Sequence, residues 1–246
     1  MRTKTLLIAA AALAVGIISS EAQVYSQNIV GYANVACNDP YNFYMLQCPF
    51  NVGVSNGANE IFGTNLPNGT QILTWDVPSQ NYISAVYDGS QNNGIYWYQS
   101  DGATPGPAPR LLPGSGFFLY SFDLVTNTFA GTVAVPSGGT NNMSLNSAYN
   151  FYLVGSTIPY TGFVTNVVAG TSQGINLNGL PDGSIVQTWD EPSQSYVTAV
   201  YDTSQGNGIF WYQSDGATPG PCPSVTVGQG LFIYLFDVYT WTQSLP

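Results

Sequence analysis

One stretch of this chain occurs twice, and that repetition constrains the fold more than any other feature. Residues 74–107 read TWDVPSQNYISAVYDGSQNNGIYWYQSDGATPGP and residues 188–221 read TWDEPSQSYVTAVYDTSQGNGIFWYQSDGATPGP, identical at 27 of 34 positions with an offset of 114. That period is far longer than the unit of a solenoid or a propeller, so each copy is a small domain and not one layer of an array. The similarity extends further. Tyr41-Asn42-Phe43-Tyr44 recurs as Tyr149-Asn150-Phe151-Tyr152, and Leu66-Pro67-Asn68-Gly69-Thr70 recurs as Leu180-Pro181-Asp182-Gly183-Ser184. The offset is 108 at the first motif and 114 at the second, which puts six extra residues between them in copy two.

Within each copy the pattern is that of strands. Short runs rich in Tyr, Phe, Val, Ile, Trp and Thr are punctuated by Gly, Pro, Asn and Ser, with no sustained helical period. Strands are expected at Ile72–Asp76, Tyr82–Asp88, Gly94–Gln99 and Gly116–Phe122, and again at Ile185–Asp190, Tyr196–Asp202, Gly208–Gln213 and Gly230–Phe236. Val77-Pro78-Ser79-Gln80-Asn81 joins the first two as a turn, and Ser100–Pro107 is a shaped loop in which two prolines remove backbone donors. The expected fold is all-β, with two tandem homologous antiparallel domains, each a β-sandwich or small barrel of about 100 residues. The division is residues 1–22 as a signal peptide, 23–135 as the first domain, 136–148 as a linker and 149–246 as the second domain. A single pseudo-symmetric domain with a shared core is the alternative.

The signal peptide rests on Arg2 and Lys4, the apolar run Leu6–Ile18 and small residues at Ser20 and Ala22, with cleavage before Gln23. The run is short of the ~20 apolar residues a membrane span needs. A secreted, extracellular or periplasmic chain without membrane insertion is expected. Its removal leaves Arg110 as the sole basic residue against 12 acids, a net charge of about −11. Nucleic acid is excluded as a partner, because phosphate neutralisation needs Lys and Arg. The chain has no His, which removes Ser-His-Asp and Cys-His catalysis and His-ligated zinc. No cofactor is implied. Calcium needs only oxygen ligands, yet no Asp-x-Asp-x-Asp-Gly loop occurs. Asn68-Gly69-Thr70 and Asn142-Met143-Ser144 match a glycosylation pattern, but Asn-Gly serves better as a hairpin turn.

The mature start Val24-Tyr25-Ser26-Gln27-Asn28-Ile29-Val30-Gly31-Tyr32 resembles the opening of a group of secreted β-rich proteins from Verrucomicrobia-like bacteria. The order of Tyr-Asn-Phe, Leu-Pro-Asn-Gly-Thr, Thr-Trp-Asp and Leu112-Pro113-Gly114-Ser115-Gly116-Phe117-Phe118 is similar to theirs, with copy two departing at Val227-Gly228-Gln229-Gly230-Leu231-Phe232. The resemblance implies an exported β protein and carries no activity with it.

The candidate ligand-binding residues are Trp97, Tyr98 and Asp101 with their counterparts Trp211, Tyr212 and Asp215. Sugar rings stack on aromatic faces while acids and amides bind their hydroxyls. Against this, alternate aromatics on a strand also fill a β core. Trp75-Asp76 and Trp189-Asp190 admit the same two readings, with Asp accepting turn N–H groups and Trp packing inward. Repeated carboxylates are poor catalysts here, since neither pair lies in an Asp-Thr-Gly or Asp-Ser-Gly sequence, so no enzyme and no catalytic residue are expected. Cys37 and Cys48 are a candidate disulfide, while Cys222 stands where the first copy has Ala108. Two partners fit this composition: further copies of the chain, in a structural or cell-surface role, or a polysaccharide bound bivalently.

Overall fold

The computed structural model describes residues 30–64, 66–91, 94–134, 139–165, 175–206 and 208–244. The expected signal peptide, residues 1–22, and residues 136–138 of the expected linker lie outside them. The first half runs β1 (Val30–Cys37), β2 (Phe43–Gln47), β3 (Phe50–Asn51), α1 (Ala58–Phe62), β4 (Gln71–Asp76), β5 (Asn81–Tyr87), β6 (Trp97–Gln99), β7 (Gly116–Tyr120) and β8 (Val125–Val133). The second runs β9 (Thr140–Leu145), β10 (Asn150–Gly155), β11 (Gly162–Phe163), β12 (Ile185–Asp190), β13 (Ser195–Tyr201), β14 (Trp211–Tyr212), β15 (Ser224–Val225), β16 (Gly230–Leu235) and β17 (Tyr239–Ser244).

Each half is built on a five-stranded antiparallel sheet, ordered β2-β7-β4-β5-β6 in one and β10-β16-β12-β13-β14 in the other. The orders correspond strand for strand. A smaller sheet, β1-β8-β3 or β9-β17, lies over each. Cys37 stands opposite Val125 and Leu145 opposite Tyr239, so β9 and β17 stand to the second half as β1 and β8 stand to the first. The sheets are open, and no barrel closes. β9 falls inside the stretch expected to be a linker. Its sequence, Thr-Asn-Asn-Met-Ser-Leu, reads as a loop because its apolar residues are few, and only pairing with β17 fixes it as a strand.

Strand alternation sends the side chains of the central sheets two ways. Phe117 and Leu119 of β7, Tyr44 and Leu46 of β2 and Ile72 of β4 pack with Phe129 and Val133 of β8 in one core. Leu231 and Ile233 of β16, Tyr152 and Val154 of β10 and Val186 of β12 pack with Trp241 of β17 in another. The intervening residues, Met45, Phe118, Leu153 and Phe232, meet in a third cluster, flanked by Trp75 and Trp189. The architecture is therefore two sandwiches joined back to back through their central sheets. Each half has its own core, the first also taking in Ile158 of the second half, and a third is shared. Burial of side chains this size contributes roughly 1.5–3 kcal/mol each.

The junction is drawn tight by two glycines. A Cβ on Gly116 would lie 2.9 Å from the Val154 carbonyl oxygen, and one on Gly230 would lie 2.8 Å from that of Leu46. Backbone bridges run alongside, Ser115 to Val154 and Leu46 to Gln229. Each half thus offers its β2 or β10 strand to the glycine of the other.

Candidate functional site

The near-identical block divides into a buried part and a joining part. Trp97 is 2% exposed and Trp211 5%, with Tyr98 and Tyr212 equally enclosed. The Trp97 indole donates to Asn59 Oδ1 at 2.7 Å and packs edge-on to Tyr87. The Trp211 indole donates to Thr165 Oγ1 at 3.2 Å and packs against Tyr201 in the same way. A stacking platform needs an open ring face, and these four residues offer none. The structure places Trp97 and Trp211 in the cores, while Tyr98 and Tyr212 are buried on the opposite strand face, at the floor of two surface grooves.

Asp101 and Asp215 shape their own loops. Asp101 accepts the Ala103 and Thr104 amides at 2.9 and 2.8 Å and the Thr104 hydroxyl at 2.5 Å. Asp215 accepts the equivalent groups of Ala217 and Thr218. The Thr104 hydroxyl, and then the amides, hold the Asp101 carboxyl below its ordinary range. Led by the Thr218 hydroxyl, the same contacts lower Asp215 to about 2. Both carboxylates sit in Asx-type turns. Thr104 and Gly106 bond back to Gln99 and Trp97, so each loop also closes the open side of its short strand, β6 or β14.

The Thr-Trp-Asp-x-Pro-Ser-Gln segment joins the halves. Asp76 accepts Ser79 N at 3.1 Å and Ser79 Oγ at 2.5 Å, closing the β4–β5 turn. That turn sets Gln80 in the left-handed region at φ 53° and aims its amide at the other half. Gln80 accepts Phe151 N at 2.8 Å and donates to Phe151 O at 3.2 Å, while the Trp75 indole donates to the same carbonyl at 2.8 Å. Gln194 and Trp189 make the same three bonds to Phe43. Tyr82 and Tyr196 meet hydroxyl to hydroxyl at 2.9 Å. Burial, and then this bond, push the Tyr82 hydroxyl up. The repeat thus builds a pseudo-twofold joint in which the Trp–Gln contacts occur twice and Tyr82 meets its own counterpart, as in an isologous dimer.

Cys37, Cys48 and Cys222 are all free thiols, so the expected Cys37–Cys48 disulfide does not form in this structure. Cys48 instead turns its thiol to the Phe50 carbonyl at 3.6 Å. Burial, with the Glu191 charge adding, pushes the Cys37 thiol up to about 12, and burial raises Cys48 to about 11. Among the described residues no three His, Cys, Asp or Glu side chains converge on one point. None of their helices is long and apolar enough to cross a membrane.

Among the exposed aromatic residues are two pairs related by the repeat. Tyr41 and Tyr149 are 65% and 68% exposed, beside the half-exposed Phe122 and Phe236. Their rings meet edge to face, at 5.6 Å for Tyr41–Phe122 and 6.0 Å for Tyr149–Phe236. Both tyrosines are held at left-handed φ, 67° and 60°, by amide bonds to Ser121 O and Leu235 O. A bulky side chain there costs on the order of 1–3 kcal/mol. The Tyr-Asn-Phe-Tyr recurrence marked these positions in the sequence, but nothing in it signals the backbone conformation.

Two grooves lie outside β5 and β13. The first, of about 720 Å³, is lined by Ile83, Tyr98, Pro107 and Arg110 among others. Its counterpart, of about 300 Å³, lies beside Val197, Tyr212 and Pro221. Arg110 donates to Ser55 O at 3.2 Å, and Ser224 stands at its position in the second copy. No protein-family model, curated protein or solved structure matches this chain.

Proposed function

We propose that the mature chain is a secreted, non-enzymatic structural or cell-surface protein that self-associates by pairing strand edges. The observation that supports it is β1. This strand is the outermost of its sheet, eight residues long, and contains neither a charge nor a proline. Val30, Tyr32, Asn34 and Ala36 face solvent, while Ala33 and Cys37 face the core. Edge strands normally carry Lys, Pro or a bulge that blocks further pairing, and β1 carries no Lys or Pro. The sides at β6 and β14 are closed by their own loops, while β1, like its shorter counterpart β9, has no strand paired on its outer side among the described residues. The resemblance to exported β-rich proteins of Verrucomicrobia-like bacteria and the apolar N-terminal run favour a location outside the cytoplasm.

The test is sedimentation velocity on residues 23–246 over a wide concentration range. The mature protein forms concentration-dependent oligomers, and Tyr32→Lys/Ala36→Lys, which changes only solvent-facing positions, renders it monomeric. A parent protein that stays monomeric at its highest soluble concentration contradicts the reading.

A further inference from the structure

The two exposed aromatic pairs serve neither the cores nor the joint, and they lie outside β1. We propose that Tyr41 with Phe122, and Tyr149 with Phe236, form two equivalent stacking subsites for a neutral polysaccharide with flat sugar faces. Four observations converge on this. The rings are exposed in a chain that encloses Trp97, Trp241, Tyr98 and Tyr212 almost completely. The exposure occurs twice, at positions related by the internal repeat.

The backbone supplies the second observation. A turn at left-handed φ is met without strain by Gly and at little cost by Asn. Tyr occupies it in both halves, so the ring is kept at a conformational cost that the turn itself does not require. Third, the Phe rings are seated. Phe122 rests on Gly69, where a Cβ would come within 2.8 Å of the ring, and Phe236 rests on Gly183 at 3.2 Å. The Leu-Pro-Asn-Gly-Thr and Leu-Pro-Asp-Gly-Ser motifs thus provide the ledge on which each ring stands.

The fourth observation is chemical. Asp123 and Asp237 follow the Phe residues in sequence and are exposed; each accepts the amide of the next residue through Oδ1, at 2.8 and 2.7 Å, and each adds an exposed acceptor for sugar hydroxyls to the same turn as the ring. Apolar C–H faces of a sugar stack on Tyr and Phe as they would on any aromatic surface. One arginine against twelve acids in the mature chain repels sulfated and uronic polymers, leaving neutral ones. Two equal subsites on one chain strengthen retention on a polymer through avidity.

The experiment is co-sedimentation of the mature protein with insoluble cellulose, chitin, neutral xylan and β-1,3-glucan, in the wild type and in Tyr41→Gly/Tyr149→Gly. Glycine removes the ring and releases the strained φ, so the double variant keeps or raises its thermal midpoint while losing retention. Each single variant loses the avidity gain, about a hundredfold in apparent affinity. The Tyr32→Lys/Ala36→Lys protein still binds, which separates ligand binding from edge-mediated assembly. The proposal is overturned if none of the four polymers retains the wild type. Equal retention of the folded double glycine variant also overturns it, as does retention that disappears with the edge variant.

Discussion

At the scale of the residue, the informative side chains are those whose polarity and position disagree with their surroundings. Gln80 and Gln194 lie at a φ that favours glycine, and each satisfies both backbone groups of a phenylalanine in the opposite half. A free hydrogen-bonding edge in β2 or β10 would otherwise be covered with its polar groups unmet, at about 1–3 kcal/mol each. The inward packing of Trp75 and the turn role of Asp76 follow from the sequence. The reach of Gln80 across to Phe151 does not, because it depends on a contact 71 residues away.

The thiols lead to a prediction at the same scale. A thiol raised by burial stays protonated in the folded chain while the unfolded chain ionises near 9.0. Cys37 and Cys48 therefore leave stability unaffected below that pH, and it falls as pH rises from 9.0 towards about 11 and 12. At mildly alkaline pH a thiol-alkylating reagent modifies the half-buried Cys222 in the native protein and spares the other two. In urea all three react. Mass spectrometry counts the adducts, and two thiols missing after unfolding would show that Cys37 and Cys48 are bonded after all.

Among elements, strand periodicity carried β4, β5 and β7 and their counterparts β12, β13 and β16 to within a residue or two. β12 spans Ile185–Asp190 as expected, and β16 ends one residue early at Leu235. β6 and β14 are shorter than expected, because before Trp97 and Trp211 the pairing with β5 and β13 is reduced to single backbone bonds, Asp88 N to Tyr96 O and Asp202 N to Phe210 O. Which face is buried was not legible, since both faces are covered. Phe117 enters its own core, while Phe118 meets the other half. The same two-sided burial explains why Gly116 and Gly230 open β7 and β16. Gly230→Ala would force a methyl against the Leu46 carbonyl, a backbone atom unable to yield cheaply. It is expected to destabilise the fold by about 1–3 kcal/mol in urea unfolding. Gly206→Ala tests a different cost, for its Cβ would meet open space and only its left-handed φ of 64° resists substitution. A Gly230→Ala loss no greater than that of Gly206→Ala would show that β2 shifts freely at the joint.

For the whole molecule, the joint decides what each half is able to do alone. It is isologous in form. β10 sits in the second half as β2 sits in the first, and the Trp–Gln clamp, the close glycine and the backbone bridge all occur in both directions. An isolated second half would expose Leu153, Phe232, Phe151 and Trp189 together, an apolar face suited to its own copy. Residues 139–246, which include β9, are therefore expected to form a homodimer in native mass spectrometry and to dissociate when Phe232→Glu is introduced. Residues 149–246 lack β9 and leave β17 unpaired, so the shorter piece is expected to aggregate. In the intact chain the shared third core couples the two halves into a single calorimetric transition, with equal van't Hoff and calorimetric enthalpies. Two resolved transitions, together with a monomeric second half, would mean that the joint is a contact between independent domains. The clamp residues would then contribute orientation and little stability.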